Sequence, residues 1–108
     1  MAKVRDLTLR FTPSGSPDVV GYALYSVLVP DAVDYDSTRH DLGLPAVNPD
    51  TGEMEFAMAP LGLAEGDYNF GVVAVDDVGN ESPMDLIDNV PLDLTAPDAP
   101  SGSRIDRN

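Results

Sequence analysis

The 108-residue sequence contains no cysteine and no tryptophan. Without thiols there are no disulfides, no thiolate nucleophile and no cysteine-held zinc, and the same absence leaves the redox compartment open. With aromatics at 6% of residues, a core has to be built mainly from aliphatic side chains. Basic residues are scarce: 6 Lys and Arg stand against 19 Asp and Glu, a formal net charge of −13. That charge repels phosphate backbones and anionic membrane faces, so nucleic acid is not an expected partner. No run approaches the roughly 20 apolar residues that cross a bilayer, and membrane insertion is not expected. Met1-Ala2-Lys3-Val4-Arg5-Asp6 opens into alternating sequence with no signal-peptide hydrophobic region, and the chain as it stands reads as soluble.

What is present has a period of two almost throughout. Leu7, Leu9 and Phe11 alternate with Thr8, Arg10 and Thr12, a strand with one dry and one wet face. Pro13-Ser14-Gly15-Ser16-Pro17-Asp18 ends it. Val19 to Val29 is apolar on both faces and is expected to be a central strand. Residues 30–52 are the least regular part, rich in proline and aspartate, with a short edge strand allowed over Asp41–Ala46. Met54, Phe56 and Met58 form a strand with a charged outer face. Ala59–Asp67 is a turn-rich link. Tyr68, Phe70, Val72 and Ala74 form the inner face of the strongest strand, and Met84–Leu94 reads as a last, irregular one. No segment holds an apolar 3.6 periodicity long enough for a stable helix. The expected core is Phe11, Tyr22, Leu24, Phe56, Tyr68, Phe70, Val72 and Ala74, and five or more strands at short spacing predict a β-sandwich.

Three segments in order carry a resemblance. Leu7-Thr8-Leu9-Arg10-Phe11-Thr12-Pro13 resembles the second strand of a fibronectin type III domain, and Gly21-Tyr22-Ala23-Leu24-Tyr25 its third. Gly66 to Ser82, with Tyr68-Asn69-Phe70-Gly71-Val72 at its centre, resembles the sixth strand and the turn after it. The resemblance implies an all-β, immunoglobulin-like sandwich of about six to seven antiparallel strands over residues 1–94. It also implies that Tyr68 is a corner tyrosine, its ring inside and its hydroxyl bonded to backbone upstream. Two departures stand out. Phe11 replaces the family's core tryptophan, and Met1–Arg5 are too few for the family's first strand, which is expected to be missing or supplied from elsewhere. The family's arginine-glycine-aspartate adhesion motif is also absent, so adhesion through it is not implied.

Chemistry-bearing patterns are sparse. His40 is the single histidine; Ser37 and Asp41 are near it only in sequence, and it reads as a loop residue without a triad. A small sandwich seldom builds the deep cleft that a catalytic carboxylate needs, so neither a catalytic residue nor a cofactor is expected. Asp34-x-Asp36-x-Thr38 begins like an EF-hand loop but has Arg39 where glycine belongs and Pro45 where the bidentate glutamate belongs, so that motif fails. The acidic loops then read either as solvated charge or as a weak, non-EF calcium site. Tyr22 and Tyr68 are assigned to the core, leaving Tyr25 and Tyr35 as sugar-stacking candidates.

The functional expectation is a non-catalytic structural or protein–protein interaction module. It would act in a surface or secreted assembly or as a coat or decoration protein of a particle, so an extracellular, cell-surface or particle-surface setting is favoured. The alternative is an accessory domain binding carbohydrate or calcium. The expected contact loops hold Tyr35, Asp36 and His40 on one side and Asp76, Asp77, Asn80 and Glu81 on the other, because binding residues concentrate on loops held by a rigid scaffold. Residues 95–108 read as a linker or extended tail. Pro97 and Pro100 favour an extended path, which allows either a disordered end or addition to an open strand edge, in the same domain or a neighbour.

Overall fold

The computed structural model describes residues 7–93 and 95–106. The described residues form seven strands: β1 (Thr8–Phe11), β2 (Val19–Leu28), β3 (Thr38–Gly43), β4 (Ala46–Val47), β5 (Met54–Ala57), β6 (Gly66–Asp76) and β7 (Asp85–Leu92). A 3-10 turn, Ala59–Leu61, separates β5 from β6 and stops at Gly62, whose φ of 66° suits a residue without a Cβ. All the pairings are antiparallel. One sheet has the order β1-β5-β4 and the other β3-β2-β6-β7. The expectation for Met1–Arg5 lies outside the described residues.

The two sheets enclose one core. β1 contributes Leu9 and Phe11, β5 Met54, β2 Tyr22 and Leu24, β3 Leu42, and β6 Tyr68, Phe70 and Val72. Phe11 stands against Tyr22 with ring centroids 4.9 Å apart, while Tyr68 stacks on Phe70 at 5.6 Å. The Tyr22 hydroxyl accepts from the Ser14 N–H, and the Tyr68 hydroxyl donates to the Ala64 carbonyl at 2.8 Å, so each buried phenol keeps a polar partner. The upstream backbone partner expected for Tyr68 is therefore present.

Of the eight expected core residues, Phe56 and Ala74 are only half-buried. β4 pairs with β5 only at Glu55 and Met54, so Phe56 has a strand neighbour on one side alone. Ala74 lies past Val72, where β7 stops covering β6. The irregular 30–52 region is also better ordered than its composition implies. The single edge strand anticipated over Asp41–Ala46 is two strands in different sheets. Gly43, at φ 63°, ends β3, and three residues later β4 begins in the other sheet.

β2 is central, as its doubly apolar pattern requires. Tyr22 and Leu24 enter the main core, whereas Ala23 and Tyr25 point to the other face of the four-stranded sheet. There, with Val73, they form a second small cluster covered by Val33, Val75 and Met84. Tyr25 is 3% exposed, which removes it as a stacking platform.

Candidate functional site

The outer cluster of the four-stranded sheet organises the polar residues around it. Tyr25 pairs with Arg39 of β3 on one side and Gly71 of β6 on the other, so its ring runs out over the sheet toward the segment after β6. Its hydroxyl donates to Glu81 Oε1 at 2.6 Å, and Arg39 Nε lies 3.5 Å from Glu81 Oε2. Arg39 also pairs with Asp41. Tyr35 arrives from the β2–β3 segment, meets the Tyr25 ring edge-on at 5.7 Å, and donates its hydroxyl to the Ser82 carbonyl at 2.8 Å. Tyr35 and Glu81 therefore act together, as a clasp between two loops far apart in sequence.

Electrostatics follow this geometry. Burial raises the Tyr25 phenol above its ordinary 10.0, and the adjacent Glu81 carboxylate pushes the same way. Burial works against the Arg39 guanidinium, yet bonds to Asp41, the Tyr25 hydroxyl and Glu81 outweigh it and raise its value further.

Asp76, Asp77 and Asn80 form the turn between β6 and β7. Asp76 Oδ1 accepts from the N–H groups of Val78 and Asn80, and Oδ2 from the Asn80 amide at 3.0 Å. The Asn80 side chain and these backbone donors hold the Asp76 carboxyl below its ordinary range, with partial burial opposing. Carboxylate oxygens of Asp18, Asp76 and Asp77 lie within 4.8 Å of one another, but those of Asp76 are already engaged by donors. The turn displays Val78 at its tip, 78% exposed.

Asp36 and His40 do not join these groups. Asp36 belongs to a local turn in which Asp34 Oδ1 accepts the Asp36 N–H and the Ser37 hydroxyl. His40 is a strand residue rather than a loop residue. It pairs with Leu24, which puts it on the face opposite Arg39, where its Nε2 lies 3.0 Å from Ser26 Oγ. No carboxylate of the described residues bonds the ring, so the geometry assembles no catalytic triad there.

Sequence reasoning offered Tyr25 only as a sugar-stacking candidate and gave Arg39 no part in the contact loops, so it missed the group they form with Glu81. The available signal was the period-two register of β2 and β3, which places both on one face once β3 is recognised as a strand. No family model, curated protein or solved structure matches the chain.

Proposed function

We propose that the chain is an immunoglobulin-like, fibronectin type III-like β-sandwich acting as a non-catalytic structural or protein–protein interaction module, in a surface or secreted assembly or on a particle. One observation carries this reading. The polar side chains of the loop clasp are spent on holding the loops, through Tyr25–Glu81–Arg39, Tyr35–Ser82 and the Asp76 turn, and the surface so fixed displays Val78 and Tyr35 to solvent at 78% and 53% exposure. A carboxylate held ionised by structural donors, as Asp76 is, makes a poor general acid. A rigid display of exposed apolar side chains suits contact with a protein surface.

A photo-crosslinking residue at Val78 or Tyr35, introduced in the source organism, tests this. Adducts to a protein are expected, whereas adducts to glycan alone, or none at either position, would overturn it. The alternative is an accessory ligand domain. With Tyr25 buried, Tyr35 alone remains for sugar stacking, and Asp18, Asp76 and Asp77 are the calcium candidates. Calorimetry against calcium and soluble polysaccharides distinguishes the two readings, heat with either ligand favouring the alternative.

A further inference from the structure

The outer edge of β1 ends its sheet. The Met58 N–H donates to the Leu7 carbonyl at 3.0 Å, so by strand alternation Leu7, Leu9 and Phe11 turn their main-chain groups toward β5. Thr8 and Arg10 turn theirs outward, and among the described residues those groups have no partner. Beside this edge, between β1 and β7, runs an open cleft of about 300 Å³ lined largely by Leu9, Leu24, Met58, Phe70, Ile87 and Val90. A smaller depression of about 110 Å³ lies further along the same strands, past Phe11 toward Ser14 and Asp85. The cleft and the outward amides together form a slot for one more strand.

The C-terminal segment has the complementary character. From Pro97 to Asp106 every residue is exposed, and no tail residue enters either core cluster. The radius of gyration is 18.3 Å, against about 13 Å for a compact chain of this length, so the molecule is elongated. Pro97 and Pro100 stiffen the first half into a spacer and lack the N–H groups that pairing needs. Ser101 to Asp106 retain all of theirs. Arg104 Nε lies 3.1 Å from the Asp106 carboxylate, the same-side spacing of an extended strand, which leaves Ser103 and Ile105 on the other side. Ile105 is 98% exposed and is the one large apolar side chain of this half. Arg104 would bring positive charge to a strongly acidic body, beside a β7 rim carrying the exposed Asp85 and Asp88.

We infer that residues 101–106 of one copy add as a strand to the outer edge of β1 in a second copy, with Ile105 seated in the cleft between β1 and β7. The stiff spacer, together with a tail that is exposed and packs on neither core cluster of its own body, selects a second copy over return to the same domain. Because donor and acceptor surfaces differ, the contact is head-to-tail and repeats into chains or rings. The inference rests on the reading of the chain as an assembly module and specifies one of its partners.

Light scattering across a concentration series is the test. The full chain should rise above its monomer mass of 11.5 kDa as concentration increases. Deletion of residues 95–108, Ile105→Asp and Thr8→Pro should each stay monomeric. Thr8→Pro removes an outward N–H while leaving the bonds to β5, and circular dichroism verifies its fold; Ile105→Asp lies outside the body and keeps the test valid if the proline variant does not fold. Mixing the tail-deleted chain, which keeps the slot, with Thr8→Pro, which keeps the tail, should give a complex of one copy of each. If the proline variant is unfolded, Ile105→Asp mixed with the tail-deleted chain should give no complex, while the full chain mixed with it should. A full chain that is monomeric at all concentrations, or self-association that survives tail deletion, overturns the inference. A monomeric full chain whose melting falls on tail deletion would place the tail in its own slot and overturn it equally. Protein adducts at Val78 or Tyr35 would in that case leave the broader reading intact.

Discussion

Phe70 is 3% exposed, stacks on Tyr68 and lines the cleft beside β1, so truncating it removes contacts in both directions. Phe70→Ala should cost about 3–5 kcal/mol in denaturant unfolding, through lost transfer energy and the cavity left behind. An unchanged midpoint would contradict the register of β6. Tyr25 tests the opposite face. Tyr25→Phe keeps the ring but removes the donor to Glu81, which retains Arg39 and some water, so a loss of about 1 kcal/mol is expected. The same residue sets an alkaline limit. Its folded ionisation lies above the ordinary 10.0, so its contribution is complete below that value and disappears as pH rises through the folded one. The wild-type chain should therefore lose more stability than Tyr25→Phe between neutral and strongly alkaline pH, measured by denaturant titration. Gly71 is constrained by packing rather than by dihedral angle: a Cβ there would meet Met84 Sδ at 2.6 Å and Met84 Cβ at 3.2 Å. Gly71→Ala should displace Met84 from the Tyr25 cluster and cost about 1–3 kcal/mol in the same unfolding measurement.

Legibility differs among the elements for physical reasons. β2 and β6 are buried over most of their length, so their apolar patterns are strong and their central position follows from sequence. β3 has one buried side chain, Leu42, among Thr38, Arg39, His40, Asp41 and Gly43, and its polar composition conceals a strand whose order comes from pairing with β2. β4 is two exposed residues held by β5, which leaves composition almost nothing to report. The contact residues followed the same rule. Tyr35, Glu81 and the Asp76 turn were visible as loop residues, but the clasp joining the first two depends on Tyr25 and Arg39, which meet only through strand register. The β6–β7 turn also gives an acid-sensitive element. Asp76 is held below its ordinary range chiefly by Asn80, so its stabilisation is present above the ordinary carboxylate range and is lost as pH falls through the lower folded value. Asp76→Ala should lower the melting temperature at neutral pH and have progressively less effect in strong acid, a convergence visible in paired thermal scans.

Over the whole molecule, charge imbalance sets the response to solvent. Arg10 is paired with Glu55, Arg39 with Asp41 and Glu81, and Arg104 with Asp106, so these cations are locally committed and a net charge of −13 remains. Folding confines that charge within a smaller volume than the unfolded chain occupies, and the repulsion opposes the native state. Mild acid removes negative charge and so relieves the repulsion. Two carboxyls resist this trend: Glu55, held low by Arg10 and Asn48, and Asp76, held low by Asn80, stabilise the fold until pH drops through their depressed values. The two effects have opposite sign and separate windows. The melting temperature should rise from neutral pH toward about pH 5 and fall below it, as self-repulsion fades first and the bonded carboxylates are protonated later. Salt should stabilise at neutral pH, since a Debye length of about 10 Å at 0.1 M shields repulsion across the surface more than it weakens contacts near 3 Å. Thermal scans over pH and sodium chloride decide the matter: a monotonic decline from neutral pH together with no salt dependence would mean that repulsion among the carboxylates does not limit stability.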